Sequence, residues 1–356
     1  MGRLLMRGNH VIGEAAIRAG CHFYAGYPIT PQNELTEYMA ARLSEVKDGV
    51  FIQAESELAA INMVMGASMA GTRAMTSSSG PGISLKQESI SFLSAMELPA
   101  VIVNISRGGP GLGNIAPSQS DYFQATRGGG HGDYRNIVLA PNSVQELADL
   151  TMRAFDLADK YRTPVLILGD GMLGQMMEPV EFLDPKKPGK PVSKEWTLTG
   201  ANGRPSRIIR SLLLDPTVEE EHNWKLVRKY ERIIHKETLV EDFLLGDSTM
   251  AVIAFGTAAR ITKGAILRAR EQNIKVGMIR PITLWPFPSK AIQEISKIIK
   301  HFLVFELNTG QMIDDVRLSL EGRGEVHFYG RPGGIIPTPL EVSRVIASQY
   351  YQKRLG

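Results

Sequence analysis

The sequence predicts an α/β protein: a parallel sheet with helices on both faces, followed by a second and smaller α/β unit. Three observations predict it. Short β-branched runs alternate with stretches of helical spacing up to Leu168, the pattern of a parallel sheet. A proline-rich stretch then breaks the alternation between Pro179 and Pro191. The alternation resumes at Thr249 and runs to the last helix. The expected division is residues 1–177, a connector with one helix over 178–246, and a second unit over 247–356.

The first elements follow from spacing. Val11, Ile12, Ala15, Ala16 and Ala19 recur at helical intervals, and Gly20 closes that helix. His22–Tyr24 reads as a strand. The loop Ala25–Pro31 carries two prolines that hold it extended, with Thr30 presenting a hydroxyl. A helix over Gln32–Leu43 starts at Pro31. Gly49–Gln53, Arg73–Thr76, Ala100–Ile105, Asn136–Ala140 and Pro164–Leu168 read as further strands. Ser143-Val144-Gln145-Glu146 is a capping box that opens a helix to Tyr161.

Gln53 to Gly82 holds the densest signal. Glu55 and Glu57 precede a run that is apolar on all sides, from Leu58 to Ala67, and such a helix is expected in a core. Acids at that end cap the helix and suit its dipole, or serve a site. Ser77–Gly82 reads as a Gly/Ser loop at a strand's carboxyl end, where open α/β sheets bind ligands. After the strand at Ala100–Ile105, Arg107 is followed by four glycines in Gly108–Gly113, so a guanidinium is expected with little cover, suited to a carboxylate. His131, in the glycine loop Gly128–Asp133, reads as a solvated loop histidine.

The connector is expected to be extended where it is proline-rich. Thr217–Glu220 then caps a helix to about Lys236 with Trp224, Val227, Tyr230 and Ile234 on one face. In the second unit, Ala251–Phe255, Val276–Ile279, Phe302–Glu306 and Val326–Tyr329 read as strands, with helices over Ala258–Gln272 and from Thr338. Gly256 lies in no GxGxxG pattern, so no dinucleotide site follows.

Composition narrows the function. The 40 basic and 37 acidic residues leave a net charge of +3, too even to point to nucleic acid. No apolar run reaches membrane length, and the start MGRLLMRGNH has neither a signal-peptide core nor the myristoylation pattern. The expected location is the cytoplasm. The single cysteine, Cys21, excludes an intrachain disulfide and a cluster held by this chain alone. The seven histidines form no zinc-type pairing, and no metal site is expected.

Six stretches together resemble one family. They are GYPITP (Gly26–Pro31), QAESELAAINMVMGA (Gln53–Ala67), SSGPGISLKQE (Ser78–Glu88), GPGLGN (Gly109–Asn114), GGGHGDYRNIVLAPNSVQE (Gly128–Glu146) and IRPITLWPFP (Ile279–Pro288). The chain resembles the alpha subunit of 2-oxoacid:ferredoxin oxidoreductases, and looks closest to the branched-chain type acting on 2-oxoisovalerate (3-methyl-2-oxobutanoate).

The resemblance implies a thiamine-diphosphate pyrimidine-binding domain followed by a domain like the C-terminal one of transketolase. It implies oxidative decarboxylation of a 2-oxoacid with coenzyme A to acyl-CoA, CO2 and reduced ferredoxin. Glu57 matches the acid that shares a proton with the cofactor's pyrimidine ring, and Thr30 and Arg107 match the binders of the substrate carboxylate. Tyr27, Pro28, Ser79 and Gly80 are the further cofactor-binding positions. Mg2+ and the diphosphate are expected on a beta subunit, and 4Fe-4S clusters on partner chains, with gamma and delta subunits and ferredoxin completing the assembly. Gly169-Asp170-Gly171, followed by Asn202, imitates a diphosphate motif but reads as a strand-end turn, because the intervening prolines bar the needed helix and strand. A different 2-oxoacid (2-oxoglutarate, pyruvate or an aryl pyruvate) and a non-catalytic scaffold subunit are the rival readings.

Overall fold

The computed structural model describes residues 2–182 and 194–355. The chain runs through β1 (Leu4–Arg7), α1 (Gly8–Arg18), β2 (Phe23–Gly26), α2 (Asn33–Leu43), β3 (Val50–Gln53), α3 (Glu57–Met69), β4 (Ala74–Ser78), α4 (Pro81–Ala95) and β5 (Ala100–Ser106). It continues with α5 (Tyr122–Arg127), β6 (Ile137–Leu139), α6 (Val144–Tyr161), β7 (Pro164–Asp170), α7 (Gly171–Gln175) and β8 (Met177–Val180). After the connector come α8 (Pro216–Glu237), β9 (Val240–Phe243), β10 (Met250–Ile253), α9 (Gly256–Glu271), β11 (Val276–Pro281) and β12 (Thr283–Trp285). The last elements are α10 (Ser289–Ser296), β13 (His301–Glu306), α11 (Met312–Leu320), β14 (Glu325–Gly330) and α12 (Pro339–Leu355).

The main sheet has seven strands in the order β12-β6-β7-β5-β4-β2-β3. Its strands are parallel except β12, which runs antiparallel along β6. A five-stranded sheet follows the order β14-β13-β10-β11-β9, with β9 antiparallel. Alternation sorts β5 residues between two cores, as a sheet covered on both faces requires. Val101, Val103 and Ile105 join Val11, Met39 and Leu147 on one side, and Ile102 joins Ile61, Ile90 and Leu166 on the other. That second core does not stop at the first sheet: Ile253, Phe302 and Val304 of the five-stranded sheet belong to it.

Several expectations are corrected. The Gly/Ser loop is shorter than Ser77–Gly82: β4 continues through Ser78 and α4 begins at Pro81, a favoured first helical residue. The Ala25–Pro31 loop is not extended to its end, since Gln32 N–H bonds the Ile29 carbonyl and makes a turn around Thr30. Helix α3 is not enclosed. Ala60, Ile61, Val64 and Ser68 face the core, while Leu58 is 44% exposed and Asn62 and Gly66 lie open. Helix α8 is capped by Asp215, whose carboxylate accepts from Thr217 N–H at 2.9 Å, so Thr217 is inside the helix. Its buried face is Leu226, Lys229, Tyr230 and Ile233, and Trp224 is 56% exposed beside a cavity of about 670 Å³.

The connector also differs at its start. Pro179 lies in β8, paired with Leu5 of β1 in a separate two-stranded sheet, an edge position that tolerates proline. Pro185, Pro188 and Pro191 lie outside the described residues. The capping box at Ser143 forms in part: Ser143 Oγ accepts from Glu146 N–H at 3.1 Å, and Glu146 Oε2 accepts from Asn142 N–H rather than from Ser143.

Candidate active site

The carboxyl ends of β2, β3, β4 and β5 bring the predicted residues to one edge of the sheet. Glu57 is the first residue of α3 and is 6% exposed. Ser56 Oγ caps that helix, accepting Ala59 N–H at 3.1 Å, so Glu57 is not needed as the cap. Glu55, one step outside, is exposed. The helix α4 supplies room for the carboxylate: a Cβ on Gly82 would lie 2.4 Å from Glu57 Oε1 and 2.2 Å from Ser78 Oγ. Ser78 Oγ is buried with no partner. The Glu57 carboxylate and the unpartnered Ser78 hydroxyl are thus two polar groups packed against Gly82, and a buried acid at a helix start is the residue type that can share a proton with a ring nitrogen, so these residues fit the pyrimidine end of thiamine diphosphate.

Gly80 turns the chain from β4 into α4 with φ of +48°, a conformation that a side chain resists. A Cβ there would also meet Arg107 Nε at 3.0 Å. Ser79 turns its hydroxyl inward, onto the Ile105 carbonyl at 2.7 Å. Tyr27 and Pro28 stand exposed at the end of β2. Arg107 is 7% exposed, not open as expected. It donates from Nη1 to the Thr30 carbonyl at 2.8 Å and from Nη2 to the Leu112 carbonyl at 3.1 Å. The glycine loop therefore curls over the guanidinium. Its Nε is buried without a partner. Thr30 thus meets Arg107 through its carbonyl, and the residue is exposed.

Arg107 lines a cavity of about 490 Å³ with Gly80, Pro81, Ser120, Asp121 and, from the second unit, Asn308 and Gln311. Asp121 accepts from Asn104 Nδ2 at 2.9 Å. Burial pushes its carboxyl up from the usual range, against the bond from Asn104 and the Arg107 charge. The far wall is pinned by Gln119. Its Nε2 donates to the Phe255 carbonyl at 2.8 Å and its Oε1 accepts from Leu307 N–H at 2.9 Å.

Two residues near the site carry little mark in the sequence. Asp121 lies in Ser118-Gln119-Ser120-Asp121, which has no diagnostic spacing. Lys86 is completely buried on α4 and donates to Thr76 Oγ1 at 2.6 Å. One signal could have found it: it is the one basic residue in a helix of otherwise small, polar and apolar residues. Asp170 is fully absorbed in structure. It ends β7 and caps the short helix α7 through Met172 and Leu173 N–H, so the strand-end turn opens a helix after all. Among the described residues, no group of three or more His, Cys, Asp or Glu side chains could hold a metal ion. No helix there is long and apolar enough to cross a membrane.

Residues 14–240 match the family described as pyruvate flavodoxin/ferredoxin oxidoreductase, thiamine diP-binding. Residues 248–342 match pyruvate:ferredoxin oxidoreductase core domain II. The ketoisovalerate oxidoreductase subunit VorB of Methanothermobacter marburgensis is 48% identical over 94% of this chain and 94% of its own length. The 2-oxoglutarate synthase subunit KorA of Methanothermobacter thermautotrophicus is 38% identical over 96% of this chain and 97% of its own. Among solved structures, the 2-oxoglutarate:ferredoxin oxidoreductase of Magnetococcus marinus, with 2-oxoglutarate, coenzyme A and succinyl-CoA bound, superposes with a TM-score of 0.85 at 28% identity. That match covers 98% of this chain and 65% of the solved chain. A split-gene transketolase shares the fold at a TM-score of 0.58 and 13% identity.

Proposed function

This chain belongs to the pyruvate flavodoxin/ferredoxin oxidoreductase family, and from that premise we propose that it is the pyrimidine-binding alpha subunit of an enzyme oxidising 2-oxoisovalerate. The products are the branched acyl-CoA, CO2 and reduced ferredoxin. Thiamine diphosphate, when bound, supplies the carbanion and the electron sink. The chain's part is placement and proton control. Glu57 holds and exchanges a proton at the pyrimidine ring nitrogen. Arg107 and Thr30 orient the substrate carboxylate, and Tyr27, Pro28, Ser79 and Gly80 shape the surface around the ring. A beta subunit carries the diphosphate and Mg2+, the 4Fe-4S clusters lie on partner subunits, and gamma and delta (ferredoxin-like) subunits and ferredoxin complete the assembly, in the cytoplasm. We divide the chain into residues 1–177, the connector 178–246 and the second unit 247–356.

The observation that carries the choice of substrate is the charge of the 490 Å³ cavity. Arg107 is the one cation among its described lining residues, and Asp121 is the one acid. One cation suits one carboxylate. The second carboxylate of 2-oxoglutarate would enter with no second cation and with Asp121 nearby, and like charges in a recess repel. The test is steady-state reduction of ferredoxin or a viologen by the assembled complex across a panel of 2-oxoacids with coenzyme A. The highest kcat/KM is expected for 2-oxoisovalerate. A higher value for 2-oxoglutarate would overturn the substrate assignment, and no turnover with any 2-oxoacid would favour a scaffold role.

A further inference from the structure

A carboxylate drawn away from bulk water is costly unless a cation or several donors surround it. Asp121 is partly buried in the wall of the 490 Å³ cavity, and the side chain that reaches it is neutral: Asn104 Nδ2, at 2.9 Å. Among the described residues, no cation makes an ion pair with it. Asp121 is the N-cap residue of α5, yet its side chain makes no capping bond, so the ordinary use of an acid at a helix start does not account for it. An asparagine there would accept the same bond from Asn104 and carry no charge. The charge is left to act on what enters the cavity.

The second unit holds Asp121 in that wall. Before it in the chain, Gln119 N–H donates to the Leu307 carbonyl at 3.0 Å, and Asn308 Nδ2 donates to the Gln119 carbonyl at 2.9 Å. Gln311 bonds both flanks of Asp121. Its Nε2 donates to the Ser120 carbonyl at 2.8 Å, and its Oε1 accepts from Phe123 N–H at 2.7 Å. Tyr122 donates its hydroxyl proton to Asp315 on α11 at 2.6 Å. Between these anchors the Asp121 side chain turns the other way, onto Asn104 of β5. Ser120 Oγ donates to the Arg107 carbonyl at 3.2 Å, which ties the same segment to the strand end that carries the guanidinium.

We infer that Asp121 is the specificity-determining residue of this cavity, excluding 2-oxoacids whose side chain ends in an anion, and that Gln311 of the second unit is the residue that positions it. The inference rests on the reading of Arg107 as the binder of the substrate carboxylate. Arg107 attracts the carboxylate that every 2-oxoacid carries. The second carboxylate of 2-oxoglutarate enters a cavity whose described lining offers Asp121 and no second cation, and like charges repel. An isopropyl, methyl or aryl group presents no charge for Asp121 to act on. The second unit thereby takes part in choosing the substrate that the first unit's arginine holds.

The test measures kcat/KM of the assembled complex with coenzyme A and a viologen, at about pH 8, well above the carboxylate range. The substrates are 2-oxoisovalerate, 2-oxoglutarate and 5-methyl-2-oxohexanoate, which has the shape of 2-oxoglutarate with methyl groups for the distal oxygens. In wild type this neutral isostere should be used roughly 10–100-fold better than 2-oxoglutarate, the effect of a like charge several ångströms away. An isostere no better than 2-oxoglutarate would mean that size excludes both, and would overturn the inference even if no variant assembled. Asp121→Asn should raise the ratio of kcat/KM for 2-oxoglutarate over 2-oxoisovalerate by about the same factor. Gln311→Leu should raise that ratio less, and should add nothing to it in the Asp121→Asn background. Additive effects would overturn the positioning role of Gln311. An unmoved ratio in Asp121→Asn, with 2-oxoisovalerate still consumed, would overturn the inference and leave the proposed function standing. Absence of turnover with every 2-oxoacid in wild type would remove both.

Discussion

Glu57 and Glu55 are two acids one residue apart with opposite environments. Glu57 is buried against Gly82, and Glu55 is exposed. Glu57→Gln keeps the shape and the packing of α3 but cannot exchange a proton. We expect it to lower turnover of the assembled complex by roughly 10²–10⁴-fold, with a stability change of only about 0.3–1 kcal/mol from the lost dipole interaction. Glu55→Gln should leave turnover unchanged. Comparing thiazolium C2-proton exchange in the two variants checks this, and the reverse ranking would reassign the role. Lys86 gives a second expectation. The unfolded chain keeps the lysine proton up to about 10.5, and the folded chain releases it near 7. Between those values the unfolded state binds more protons, so the Lys86 contribution makes stability rise with pH, by at most about 1.4 kcal/mol per unit. Below about 7 both states hold the proton and the burial penalty is complete. Denaturant midpoints from pH 7 to 10 should therefore show a rise in the wild type that Lys86→Met lacks. Glu57, Thr30 and Arg107 are legible in the sequence because each stands in a recognisable motif at a strand end. Lys86 is not, because its complete burial and its bond to Thr76 on β4 are tertiary facts, and the sequence suggests a loop where the helix that carries it begins.

Helix α4 starts where β4 stops, with only Ser79 and Gly80 between them, and this tight turn sets Gly82 against Glu57. Gly82→Ala puts a methyl 2.4 Å from Glu57 Oε1. The Ser78 hydroxyl can rotate aside, but the carboxylate must move. Overpacking of this kind costs about 1–3 kcal/mol, and the larger effect is expected on cofactor retention. Equilibrium dialysis of the assembled complex should show weaker thiamine diphosphate binding than in wild type; equal binding would mean that the placement of the Glu57 carboxylate does not matter for holding the ring. Helix α3 shows how far periodicity reaches. An apolar surface all round the helix is consistent with burial on every side, yet Leu58 remains 44% exposed and only one face meets the core. Sequence reports that a surface is apolar and not which molecule covers it. In α8 the same limit takes the form of a rotation. Tyr230 is shared by the expected and observed faces, but Lys229 is buried by its ion pair to Glu97 and Trp224 is left outside.

At the scale of the whole molecule the two α/β units are bound by a buried cation. Arg280, at the end of β11, is 1% exposed and donates to both oxygens of Glu146 on α6, at 2.9 and 2.6 Å, and also to Glu241 on β9. Removing one partner of a fully buried ion pair costs about 3–5 kcal/mol. Both acids here are partly exposed, and Glu241 keeps Lys263. Arg280→Met should therefore cost about 2–3 kcal/mol in chemical denaturation, less than that range, and an unchanged midpoint would mean that water replaces the guanidinium freely. Most strands are legible as β-branched runs. The exceptions are β1, β8, β9 and β12, which are three or four residues long and pair antiparallel at sheet margins. Length alone is not the reason, since β2, β3, β6 and β10 are as short and legible; the four missed strands lie outside the parallel pairing that strand–helix alternation reports.

Strand β12 bears on how such a protein can be divided and recombined. It comes from the second stretch of sequence but completes the sheet of the first, and Ala140 N–H bonds the Ile282 carbonyl just before it. A gene cut between the two matched segments would leave the β6 edge bare, and an unpaired edge invites pairing between chains. The other fragment would lose the apolar neighbours that Ile253 and Phe302 share with the first sheet. The heritable module is therefore larger than either stretch, and a viable fusion or fission must carry β12 together with the sheet it closes.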